Sequence, residues 1–216
     1  MRDEELSRKS MVWREAIRPY LREGRKRRIR LSPKESALLV IDMQRFFFDN
    51  TSHAYLPDGE AIIDNVAELL AAYRGLSLPV IFTRHALMHD EPSGAMGRWW
   101  GDVLYDDDPM SEIVPRLRPV EGEKVVRKTR YSAFAGTCLE SELYELGVKQ
   151  LVITGVMTHL CCETTARDAF VRDFDVFFVV DGTAARNEEL HLSSLKTLSD
   201  GFAMPVEASE VISWLK

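Results

Sequence analysis

Short apolar runs alternate along the chain with segments whose apolar residues recur at three- and four-residue intervals. Ala37-Leu38-Leu39-Val40-Ile41 is unbroken and stops at Asp42. Pro79-Val80-Ile81-Phe82-Thr83, residues 150–154 and Val176-Phe177-Phe178-Val179-Val180 also read as strands, as does Lys124-Val125-Val126-Arg127, which ends at Lys128, and a shorter sixth strand lies near Ala203 or Val206. Between these runs, Ile62, Val66, Leu69, Leu70 and Tyr73 share one helical face, as do Leu139, Leu143 and Leu146. Further helices are predicted over residues 161–173, with Cys162, Ala166, Ala169 and Phe170 on one face, behind a capping Asn187 with Leu192, Leu195 and Leu198, and through Val211, Ile212 and Leu215. Strands that are apolar on both faces and alternate with helices predict an α/β domain, three-layer α/β/α, around a mostly parallel central sheet of about six strands.

Two regions stand outside this alternation. Residues 1–35 read as an N-terminal helical and basic arm ahead of a domain spanning 36–216. Val12, Trp13, Ala16, Ile17, Tyr20 and Leu21 have helical spacing, Pro19 kinks or ends that helix, and residues 22–30 are a basic run suited to a solvated connector or a subunit contact. Residues 84–120 show no sustained period and hold His85, His89, Trp99, Trp100 and Asp106-Asp107-Asp108. A connection this long inside a compact domain is usually functional.

Composition narrows the classes. At 45% hydrophobic and 29% charged residues the chain reads as soluble and globular, and its net charge of −6 gives no reason to expect nucleic acid as a partner. Three cysteines without zinc-ligand spacing suit a reducing compartment. No apolar stretch approaches the roughly 18 residues that span a bilayer, so no membrane is expected. Met1-Arg2-Asp3-Glu4-Glu5 lacks the apolar core of a signal peptide, and a cytoplasmic location is expected.

In a parallel α/β sheet the ligand crevice lies outside the carboxyl ends of the strands. Asp42 directly follows the first strand, Lys128 the third, and Cys161-Cys162 lie just beyond the fourth. A thiol near a helix N-terminus feels a field that lowers its pKa, which makes Cys161 or Cys162 a candidate nucleophile; the alternative is a pair of buried structural thiols. With a carboxylate and an ammonium in the same crevice the set suits acyl transfer. Asp42 serves as base toward the thiol, Lys128 stabilises both anions, and backbone N–H groups at the helix start bind an oxyanion.

Leu38-Leu39-Val40-Ile41-Asp42-Met43-Gln44, then Lys128-Thr129-Arg130-Tyr131-Ser132-Ala133-Phe134, then Gly155 through Asp168-Ala169, in this order, resemble the isochorismatase-like cysteine hydrolase superfamily. That group includes nicotinamidases, carbamoylsarcosine and ureidoacrylate-type amidohydrolases, and isochorismatases. The likeness covers residues 36–206. It implies a Rossmann-like fold and assigns the nucleophile to Cys161, four residues before Thr165-Ala166-Arg167-Asp168-Ala169, with Cys162 left as packing. It also implies Asp42 as acid/base, Lys128 as its charged partner, and a non-proline cis peptide at Val156-Met157 that turns the Met157 N–H toward the Cys161 N–H as an oxyanion hole.

The implied activity is hydrolysis of an amide or ureido C–N bond of a small molecule through a Cys161 thioester. An isochorismatase-type cleavage of a vinyl ether with Asp42 as acid is the alternative, and a non-catalytic binding module on the same fold is a third reading. Metal-binding nicotinamidases of the group carry Asp-x-His after the second strand; here the segment is Thr83-Arg84-His85, so no metal and no other cofactor is expected, and nicotinamidase is disfavoured. Gln44, Phe48, Tyr131 and Phe134, close behind catalytic positions, are expected to line the pocket, as are His85 and His159. Trp99 and Trp100 suit a pocket wall or a subunit interface. Members are commonly oligomers, which implies a homodimer or homotetramer.

Overall fold

A computed structural model describes residues 2–21 and 29–216. Six strands form one sheet in the order β3-β2-β1-β4-β5-β6, every pair parallel. They are β1 Ser36–Ile41, β2 Val80–His85, β3 Lys124–Lys128, β4 Gln150–Val156, β5 Asp175–Ala184 and β6 Met204–Val206. The helices are α1 Arg2–Ile17, α2 Ile63–Gly75, α3 Gly94–Trp100, α4 Leu139–Glu145, α5 Glu163–Phe170, α6 Glu188–Gly201 and α7 Ala208–Leu215.

The apolar runs become strands because both of their faces are covered: every residue of β1 and of β4 is buried. Parallel crossovers are right-handed, so α2, which carries the chain outward from β1 to β2, takes the face opposite α5 and α6, which carry it from β4 through β5 to β6. Asn187 caps α6 as its position predicts, its side chain accepting from Leu190 N at 2.9 Å. The sheet order reverses between β1 and β4, which opens the crevice between their carboxyl ends.

Three expectations change. Residues 84–120 contain the seven-residue helix α3, which Gly94, Gly97 and paired tryptophans hide from a periodicity reading. Phe170 is 47% exposed and packs on Phe202 rather than joining the buried face, because it lies about 80° around the helix from Cys162. The segment before α5 begins earlier than predicted, as a wide helical turn over Thr158–Cys162. In that turn Cys162 N donates to Met157 O at 3.2 Å, a five-residue step.

The N-terminal helix α1 packs on the body through Leu6, Trp13 and Ile17, all part of the core. It ends before Pro19, where a short tight turn follows. The basic run falls on residues 22–28, outside the described residues, apart from Ile29 and Arg30. Among the described residues no helix is long and apolar enough to cross a membrane.

Candidate active site

Asp42 leaves β1 with φ +48°, a backbone region that non-glycine residues seldom occupy, and this turns its side chain back into the crevice. It is fully buried. Thr83, near the end of β2, holds it from both sides: Thr83 Oγ1 donates to Asp42 Oδ1 at 2.6 Å and accepts from Asp42 N at 3.1 Å. Across from it, Lys128 Nζ lies 2.7 Å from Asp42 Oδ2 and donates to Cys161 Sγ at 3.2 Å and to the Arg130 carbonyl at 3.0 Å. Two of the ammonium's protons are thus donated to Cys161 and Arg130, and its contact with Asp42 is an ion pair.

The field in this cluster differs from the one expected of a helix terminus. Burial pushes the Cys161 thiol up to about 12, the Asp42 carboxylate pushes the same way, and Lys128 opposes both. The thiol is therefore protonated at rest. Desolvation outweighs any helix field, and α5 begins only at Glu163, two residues further on. For Lys128, burial acts to lower the pKa, but the Asp42 carboxylate and the Cys161 sulfur override it and hold the ammonium above its ordinary range.

The peptide bond Val156-Met157 is cis. Gly155 stands opposite Ile41 in the β1–β4 register, with φ +115°, and a Cβ there would lie 2.0 Å from the Ile41 carbonyl oxygen. Only glycine permits that approach. The exits of β1 and β4 are thereby brought together directly below the site.

Above the cluster is a cavity of about 350 Å³. Met157, His159 and Cys161 line it from one side, His85 and Tyr131 from another, and Phe46, Phe47, Trp99, Trp100 and Leu190 supply much of its apolar wall. Trp100 Nε1 donates to the Tyr131 hydroxyl at 2.8 Å, which ties α3 to the loop after β3. At the rim His53 stacks on Trp100 with ring centres 6.1 Å apart and meets Asp102 at 3.0 Å. Burial, followed by the Lys128 ammonium, brings His85 down to about 4, and burial lowers His159 as well, so both face the cavity as neutral rings near pH 7.

Gln44, Phe48 and Phe134 lie outside this wall, contrary to expectation. The buried Gln44 amide is consumed by main chain: Nε2 donates to the carbonyls of His85 at 2.9 Å and Ser111 at 3.0 Å, and Oε1 accepts from His85 N at 2.8 Å. Phe48 covers Gly59, where a Cβ would stand 3.2 Å from its ring, because the tight turn Arg45–Phe47 aims only the two preceding phenylalanines at the cavity. Phe134 stacks on Phe174 at 6.0 Å under the Arg172 guanidinium. Sequence reasoning missed Thr83, His53, the Phe46-Phe47 pair and Arg186, which also lines the cavity, as site residues. Thr83 was open to discovery, since it stands near a strand's carboxyl end as Asp42 and Lys128 do.

Thr83 also occupies the place where metal-binding relatives would have the Asp of Asp-x-His, and its hydroxyl is engaged by Asp42. Among the described residues no group of three or more His, Cys, Asp or Glu side chains could hold a metal ion. The donor set does not suit a metal.

A family model described as an isochorismatase domain matches residues 36–210. Nicotinamidase 3 of Arabidopsis thaliana is 44% identical over 181 residues, 82% of this chain and 87% of that protein. Enterobactin synthase component B of Escherichia coli strain K12 is 36% identical over 83% of this chain, which spans only 63% of that longer protein. The crystal structure of a cysteine hydrolase from Pseudomonas syringae pv. phaseolicola 1448A superposes with a TM-score of 0.84 at 28% identity, covering 87% of this chain and 95% of that one. The chain belongs to the isochorismatase family of hydrolases.

Proposed function

We propose that the chain hydrolyses the C–N bond of a small amide or ureido compound through a thioester on Cys161. The observation that carries this reading is the Lys128 ammonium bridging Asp42 Oδ2 at 2.7 Å and Cys161 Sγ at 3.2 Å on the floor of the cavity. A thiol held at about 12 needs a base at the moment of attack, and the Asp42 carboxylate, which interacts with the thiol and pairs with the same ammonium, supplies one. Asp42 takes the Sγ proton as sulfur bonds to the carbonyl carbon, and Lys128 stabilises the negative charge as it moves from carboxylate to sulfur. The Met157 and Cys161 N–H groups receive the oxyanion. Collapse breaks the C–N bond, the amine or ammonia leaves with the proton from Asp42, and the thioester remains. Asp42 then deprotonates water, which attacks the thioester; the carboxylic acid departs and the proton returns to sulfur.

The vinyl-ether reading has one observation in its favour: the family is named for isochorismatase, and a thiol protonated at rest is compatible with a reaction in which Asp42 is the acid and sulfur a bystander. One experiment separates the two. Wild type and Cys161→Ala are offered nicotinamide, N-carbamoylglycine and isochorismate in parallel. Turnover of an amide or ureido compound by wild type and its loss in the folded variant support the thioester route. Turnover of isochorismate that survives Cys161→Ala supports the alternative.

A further inference from the structure

The residues matched by the family model begin at 36, so α1 lies outside them. Yet α1 reaches the back of the nucleophile turn through two side chains. Thr158 opens that turn directly after Met157 and is fully buried. Its Oγ1 hydrogen-bonds His191 Nδ1 at 2.9 Å. His191, on α6, is only 3% exposed, and Trp13 of α1 packs against its ring with centroids 4.3 Å apart at 54°. Trp13 Nε1 also donates to Glu188 Oε1 at 2.8 Å, in the first turn of α6. The residue before His191, Leu190, lines the cavity.

The helix carrying Trp13 is itself firmly held. Ser10 donates to Glu207 at 2.6 Å, Arg14 pairs with Glu210, and Leu6 and Ile17 sit in the core. A rigid α1 thus fixes how far α6 sits from the turn, and α6 fixes the turn through one buried hydrogen bond. No other polar contact of the Thr158 side chain competes with it among the described residues. Burial brings His191 down to about 4, so the ring stays neutral near pH 7 and the bond does not depend on a charge there.

We propose that His191 and Trp13 are positioning residues, through which the N-terminal helix sets the nucleophile turn that carries Met157 and Cys161. The role of that turn rests on the cysteine-hydrolase reading, but its placement can be measured without substrate. Alkylation by iodoacetamide is followed at each cysteine by peptide mass spectrometry, with exposed Cys138 as reference and core Cys162 as reporter of global opening. The variants are His191→Leu, Trp13→Leu and His191→Asn, the last retaining a short polar group near Nδ1. kcat and KM are measured on whichever probe amide the wild type turns over.

If the turn is set from α1, His191→Leu and Trp13→Leu speed alkylation of Cys161 about five-fold or more relative to Cys138, with Cys162 unchanged, and kcat falls by about ten-fold with KM nearly constant. His191→Asn recovers most of both effects. Cys161 and Cys162 opening together, or a lowered Tm with Cys161 reactivity unchanged, overturns the proposal. Should wild type hydrolyse no amide, the cysteine-hydrolase reading fails, and the alkylation ratios still decide whether α1 sets the turn.

Discussion

Thr83 Oγ1 donates to Oδ1 of Asp42 at 2.6 Å while accepting that residue's own N–H at 3.1 Å, so one hydroxyl fixes both the carboxylate and the backbone that bears it. Removing the hydroxyl in Thr83→Val leaves a buried carboxylate oxygen and an N–H without this partner. The expected loss is about 1.5–3 kcal/mol of stability, the range for a hydrogen bond to a charged group. If the lost orientation acts on the transition state to the same extent, kcat falls by about ten-fold or more. Urea unfolding and steady-state kinetics check this, with Thr83→Ser retaining most of both.

Lys128 and Asp42 are both fully buried, so each depends on the other. Lys128→Met strands the carboxylate and is expected to cost about 3–5 kcal/mol and all turnover. Adding Asp42→Asn to Lys128→Met restores much of the stability and none of the activity. A double variant no more stable than Lys128→Met, measured by urea unfolding, would show that the penalty is one of packing rather than of charge.

His85 and His191 each have a folded-state pKa of about 4 against an ordinary 6.5. Burial favours the neutral ring, so the unfolded chain binds more protons between those values. The associated stability is present above pH 6.5 and is lost as pH falls toward 4. Each site contributes a slope of at most about 1.4 kcal/mol per pH unit in that window. Comparing urea midpoints at pH 7 and pH 5, His191→Asn is expected to lose less than wild type.

Trp100 and Tyr131 join across the cavity wall by a 2.8 Å hydrogen bond. Tyr131→Phe removes the acceptor, costs about 1 kcal/mol, and raises KM more than it lowers kcat, because the wall orients substrate and takes no part in bond breaking. A fall in kcat with KM unchanged would place Tyr131 among the reacting groups instead.

The grouping of Asp42, Lys128 and Cys161 was legible because each ends or follows a predicted strand, and a parallel sheet puts such positions in one crevice. Gln44, Phe48 and Phe134 show where proximity in sequence fails: tight turns after a strand rotate successive side chains through large angles, so a neighbour of a site residue can face the core. The direction of the thiol's pKa shift differs from the expected one because a helix field is visible in a sequence whereas burial is not. Helix α3 escaped notice because its place comes from the Trp100 contact and from packing over the cavity, not from an amphipathic repeat. The Trp13–His191–Thr158 contact joins residues from three distant parts of the chain, and nothing in their local sequence announces it.

The close approach of Gly155 to the Ile41 carbonyl makes the spacing between Asp42 and Cys161 a property of the main chain. Side chains in the cavity wall can then vary in size and polarity without moving Asp42 and Cys161 relative to one another. Substrate range and chemical competence become separately adjustable: rebuilding residues 84–120 should redirect the enzyme to other small molecules, whereas a single methyl group at residue 155 should disable it for all of them.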